Sequence, residues 1–144
     1  MKKKTIFLCS SMSFYKELID IEETLKSKGF HVNIPISAQA MRKHNDFDVT
    51  HFKNVFTLKQ KAEFIKKNFQ KITQGDAILV INNSKNGIHG YIGANVLMEI
   101  ALAFYFKKKI YIWNPIPENA DYREELLAFD VAIINQQVDK ITIT

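Results

Sequence analysis

The chain of 144 residues has one cysteine, three prolines and five glycines, and of its 20 basic residues only Arg42 and Arg123 are arginines. Each scarcity excludes something. A lone Cys9 allows no internal disulfide, so disulfide-stapled extracellular scaffolds are excluded and the cytoplasm is the expected compartment. Few prolines and glycines, in no biased tract, leave no flexible linker, repeat or low-complexity segment, and residues 1–144 are expected to form a single domain. Long apolar runs are missing as well. The run that begins at Val96 stops at Lys107, well short of the roughly 20 residues of a membrane span. The apolar stretch Ile6 to Cys9, although it follows Lys2, Lys3 and Lys4, is far below the roughly 7–15 residues of a secretion-signal core. Neither export nor membrane association is expected. The shortage of arginine also bears on the net charge of +5. Duplex readers rely on the planar arginine fork, and Lys59, Lys61, Lys66, Lys67 and Lys71 fall around a helix rather than along one stripe. The charge therefore reads as solvated surface, and no nucleic-acid partner is expected.

What is present is an alternation of strand and helix. TIFLC is a short β-type run, followed at once by a segment with Leu18, Ile21 and Leu25 at helical spacing, which Ser11 or Ser13 can cap and Gly29 can end. FHVNI alternates as a second strand. Residues 35–56 show no clean period, and a connection of that length is expected to carry irregular helix and to wall a pocket. Leu58, Ala62, Ile65, Phe69 and Ile72 then mark one face of a lysine-rich helix over 57–73. AILVI reads as a strand buried on both faces, and it is left by the loop NNSKNGIHGYIG, with a turn at Asn86-Gly87. An apolar helix, the strand KIYIW, a short helix within 118–129 and the strand VAIIN complete the order. The pattern predicts an α/β fold: a single Rossmann-like or flavodoxin-like domain, about five mostly parallel strands with helices on both faces. In such sheets ligands bind beyond the carboxyl ends of the strands where the strand order reverses, which directs attention to CSSMS and to the loop after AILVI.

Just beyond that loop, LMEIALAFYF carries one formal charge in ten residues. A buried carboxylate without partners is costly, so Glu99 is the leading candidate for a chemical role; a structural helix-start carboxylate is the plain alternative. A helix beginning near residues 93–95 would direct Glu99 back toward the strand ends, and the helix dipole there is expected to keep it ionised. Ser10, Ser11 and Ser13, at the start of another helix, could orient it or hold a phosphate, capping being their plain alternative. HNDFDVTH matches no metal-ligand spacing, and no metal or other cofactor is expected.

FLCSSMS, GDAILVIN and above all GYIGANVLMEIALAFYFKKKIYIWNPIP resemble the nucleoside 2-deoxyribosyltransferase-like superfamily, which includes deoxynucleotide N-hydrolases. The resemblance spans most of the chain and is sharp in those three stretches. It implies that Glu99 attacks the anomeric carbon of the sugar, that a covalent glycosyl-enzyme forms, and that water or a second base resolves it. It further implies that Ser11 contacts a nucleotide phosphate. Asn82, Tyr91 and Asn95 could hydrogen-bond base or sugar, and His89 could protonate the leaving base. The chain departs from the family pattern where Gly93 replaces a carboxylate or serine, Asn68 an aspartate and Ser13 an arginine. The implied partner is a small nucleoside or nucleotide, handled by a transferase or hydrolase; the alternative is a non-catalytic nucleotide-binding or sensing module. The all-round apolar helix suggests a homodimer or higher homo-oligomer.

Overall fold

The computed structural model describes residues 2–52 and 55–143. Five strands, β1 (Thr5–Ser10), β2 (His31–Asn33), β3 (Ala77–Ile81), β4 (Lys109–Ile112) and β5 (Ala132–Ile133), form one sheet in the order β2-β1-β3-β4-β5. Every pairing is parallel. The connections are α1 (Tyr15–Ser27), α2 (Ile36–Lys43), α3 (Val49–Phe52), α4 (Leu58–Gln74), α5 (Ala94–Tyr105) and α6 (Arg123–Ala128).

The sheet is parallel because its strands carry side chains fit for two apolar faces. Ile6 and Leu8 of β1 join Ala77, Leu79 and Ile81 of β3 under α1 and α2. Phe7, Cys9, Ile78 and Val80 point the other way, beneath Ile72 of α4 and Val96, Ile100 and Ala103 of α5. All five residues of β3 are buried, so it is the centre of both cores. Each such aliphatic side chain contributes roughly 1.5–3 kcal/mol by leaving water. At the amino ends, Asp76 clamps β1 to β3: its carboxylate accepts from Thr5 N at 2.9 Å, and its amide donates to Thr5 O at 2.9 Å.

The boundaries follow local chemistry. Ser11 caps a single 3-10 turn, Met12–Phe14, and α1 starts directly after it without a side-chain cap. Gly29, at φ 97°, turns the chain out of α1. Thr57 and Gln60 form a reciprocal capping box that starts α4. The stretch 35–56, which has no clean period, holds α2 and α3, with positions 53 and 54 outside the described residues. Its acidic and histidine cluster closes on itself: His51 meets Asp46 at 2.7 Å and Asp48 at 3.4 Å. Among the described residues no three His, Cys, Asp or Glu side chains group as metal ligands, and no helix is long and apolar enough to cross a membrane. Two expected elements are shorter than the sequence suggests. The helix within 118–129 is confined to Arg123–Ala128, after two prolines, and the last strand pairs only at Ala132 and Ile133.

Candidate active site

The chain passes from β1 outward to β2 and returns to β3 on the other side of β1, so the strand order reverses between β1 and β3. Ser10 and Ile81 are register partners, and the two loops leave the sheet side by side at this point. The second loop is held rigidly. Asn86 and Gly87, at φ 52° and 76°, make the left-handed turn of a small hairpin closed by Lys85 and Ile88. Gly90 packs so closely that a β-carbon there would lie 2.5 Å from Pro115 O, at a φ of 71° that also favours glycine. Gly93 then caps α5.

Above the two loops lies a cavity of about 690 Å³, within the roughly 300–1,000 Å³ range of small-molecule sites. Ser10, Ser11 and Ser13 line it from the first loop, and Lys85, Tyr91 and Gly93 from the second. The exposed Asn95 and the buried Glu99 of α5 also line it, as do Ser37 of α2 and Tyr15 of α1. The roof is apolar, from Val49, Phe56 and the α4 face that includes Phe64, Ile65 and Phe69. Phe56 and Phe64 meet edge to face with ring centroids 4.9 Å apart. Asn68 also borders the cavity, but its carbonyl oxygen accepts from Ile36 N at 3.1 Å and so fastens α2 to α4.

Glu99 is the only carboxyl group lining this cavity among the described residues. It is 6% exposed, and burial pushes its pKa up to about 8. This corrects the expectation of an ionised carboxylate. Glu99 is the sixth residue of α5, in its second turn, whereas the free amides and the dipole act within the first. Burial also raises the Tyr15 hydroxyl and the Cys9 thiol well above their ordinary values, and Glu99 adds to both. The Tyr15 hydroxyl is 2.7 Å from Ser37 Oγ, making a hydroxyl pair close enough to Glu99 to feel its charge.

Two sequence candidates do not line the cavity. Asn82 is fully buried and faces away from it: its amide nitrogen donates to Asn114 O at 2.9 Å, and its oxygen accepts from Asn114 N at 2.8 Å, joining the loops after β3 and β4. His89 is exposed, with Nδ1 2.8 Å from Ser84 Oγ, and is not among the residues lining the cavity. Conversely Lys85, Tyr15 and Ser37 join the site without a motif to announce them. Only their positions, a few residues past the carboxyl ends of β3, β1 and β2, could have drawn attention to them.

No protein-family model matches the chain, and no curated protein matches it in sequence. Solved structures do match. One is a 2-deoxyribosyltransferase from the psychrotolerant bacterium Bacillus psychrosaccharolyticus, with a TM-score of 0.64 and 16% identity over 96% of this chain and 92% of that one. Another is the Clostridium botulinum CMP N-glycosidase BcmB, with a TM-score of 0.54 and 18% identity over 91% and 87% of the two chains. The fold is that of these enzymes. At this identity the likeness is one of architecture, and the chemistry has to be argued from the residues of the cavity itself.

Proposed function

We propose that the protein cleaves or transfers the N-glycosidic bond of a nucleoside or nucleoside monophosphate, with Glu99 as the nucleophile. The observation that carries this reading is a single buried carboxyl facing an apolar-roofed cavity at the strand-order reversal. One carboxyl suffices for the first half of a retaining displacement. An ionised Glu99 oxygen bonds to the anomeric carbon, and the C–N bond breaks with its electron pair going to the base nitrogen. Water or a second base then displaces the ester, returning the carboxylate. Because no second carboxyl lines the cavity among the described residues, the proton for the departing base has to come from another group. The Tyr15–Ser37 hydroxyl pair, which lines the cavity within reach of the Glu99 charge, is the candidate in this reading. The aromatic pair Phe56 and Phe64 suits the flat face of a base. The structural relatives, a CMP N-glycosidase and a 2-deoxyribosyltransferase, support this class of substrate.

A non-catalytic nucleotide-binding module is the second reading. It is favoured by Asn68, which stands where the family pattern has an aspartate and spends its oxygen on the Ile36 amide. Base release, followed by chromatography over ribo- and deoxynucleosides and their monophosphates, with and without a second base, separates the two. Release by wild type that disappears in Glu99→Gln supports the enzyme. Ligand binding without release from any member of the panel supports the module. In either reading the exposed apolar side chains on and after α5, Met98, Tyr105 and Phe106, suit a homodimer. A monomeric mass by light scattering would remove the homodimer.

A further inference from the structure

The segment that joins α2 to α3 carries a titratable cluster next to the cavity roof. Val49 of α3 lines the cavity, and to either side of it in sequence Phe47 and Phe52 pack against the core. α3 itself is a single turn of four residues, far too short to persist on its own helix bonds. Its exposed His51 supplies a second fastening. Nδ1 lies 2.7 Å from Asp46 Oδ2, and Nε2 lies 3.4 Å from Asp48 Oδ2. The other oxygen of each carboxylate is already engaged nearby. Asp46 Oδ1 accepts from Asp48 N at 3.0 Å, and Asp48 Oδ1 accepts from Thr50 N at 3.0 Å and from Thr50 Oγ1 at 2.6 Å. The ring thus ties α3 to the residues that lead into it.

This geometry selects a charge state. A neutral imidazole carries one N–H, so one of its nitrogens would turn a lone pair toward a carboxylate. Only the imidazolium offers a proton to both. The hydrogen bond to Asp46, and then the charges of Asp46 and Asp48, raise His51 above its ordinary 6.5. Asp46 and Asp48 are themselves lowered, first by the bond from Asp48 N and by the Thr50 hydroxyl respectively, so both stay ionised while His51 titrates. His44, at the end of α2, also acts on Asp46, and its ring centroid lies 6.5 Å from that of Phe52. Among the described residues no charged side chain of another element comes within ion-pair distance of His51, Asp46 or Asp48. Once the imidazolium loses its proton, two neighbouring carboxylates are left with no cation between them.

We infer that His51 is a pH-operated latch on the cavity roof: charged, it holds residues 45–52 closed with Val49 in place against the cavity, and neutral, it releases that stretch. The direction follows from the raised native pKa. The latch is complete below pH 6.5 and is lost as pH rises through the raised value. The inference concerns the roof alone and holds for either reading of the cavity. Glu99 titrates at about 8 in the same cavity, so the two effects have to be measured apart.

The test is amide hydrogen exchange, followed by mass spectrometry between pH 5.5 and 8.5, with each rate divided by the intrinsic rate at that pH. It compares wild type, His51→Gln and His51→Arg, with β3 as the reference for opening of the whole molecule. The series is repeated with Glu99→Gln, which removes the other titration. In wild type the protection of residues 45–52 relative to β3 is expected to fall roughly 3- to 10-fold as pH rises. His51→Gln should show the low protection at every pH, and His51→Arg, whose charge is permanent, should show no fall. Ring resonances followed by NMR should titrate above 6.5 for His51 in wild type and closer to it in Asp46→Asn. Protection of residues 45–52 that is independent of pH in wild type overturns the inference. So does a fall that persists in His51→Gln, one that vanishes with Glu99→Gln, or one shared equally by β3.

Discussion

Replacing Glu99 with Gln should stabilise the protein, and by an amount that grows with pH. Gln has the shape of the protonated acid, so the variant keeps the packing and deletes the ionisation. In the native state burial holds the Glu99 pKa at about 8, against an ordinary 4.5 in the unfolded chain. The native state therefore binds the proton more tightly, and wild-type stability is fully present below pH 4.5 and lost as pH rises toward 8. A native pKa of about 8 against 4.5 implies that wild type falls behind the variant by about 3 kcal/mol at pH 7 and about 4 kcal/mol at pH 8, with well under about 1 kcal/mol lost at pH 4.5. Urea unfolding of both proteins at pH 5, 6, 7 and 8 measures the difference directly, and taking the difference cancels every other titrating group. A gap that stays constant with pH would refute the argument, as would a wild type that gains on the variant as pH rises. The second result would mean that the carboxylate is ionised in the native fold and solvated or paired in a way its surroundings do not provide.

The same titration governs turnover in the glycosidic reading: kcat/KM for base release should rise with pH and level off above about 8, since only the ionised Glu99 attacks; a profile that falls across this range would mark Glu99 as an acid instead. Gly90→Ala brings a β-carbon to 2.5 Å from Pro115 O at positive φ and should cost about 3 kcal/mol, seen as a Tm lower by roughly 10 °C. Thr57→Ala removes the capping box of α4 and should cost about 1 kcal/mol, a Tm decrease of roughly 3 °C, with weaker ligand binding because α4 roofs the cavity.

The architecture was legible because it is written in local patterns. AILVI can only be a strand covered on both sides, and the stripe from Leu58 to Ile72 can only be a helix with one apolar face. Glu99 stood out for a related reason, as the one charge in a run that burial would otherwise claim. What could not be read depends on which strand ends become neighbours. Lys85, in a polar loop, looks like any solvated lysine until the strand order brings that loop beside Ser11. Asn82 looks like a ligand-binding loop residue until Asn114, 32 positions away, takes up its side chain. The charge state of Glu99 turned on a single helical turn: nearer the start of α5 it would have met free amides and the dipole.

Helix α4 carries a further consequence. Of its 17 residues only Ile72 is buried, while Phe64, Ile65 and Phe69 turn their apolar surface toward the cavity. These side chains are only half-buried and make little of the core, so exchanging them for other apolar residues should cost little folding free energy. The sheet, by contrast, tolerates almost no change at Leu79 or Val80, which are fully buried. The molecule thus separates the part that must stay fixed to fold from the part that meets the ligand. A lineage could alter which ring fits beneath α4 by changing two or three roof residues, leaving Glu99 and the strands that carry it in place.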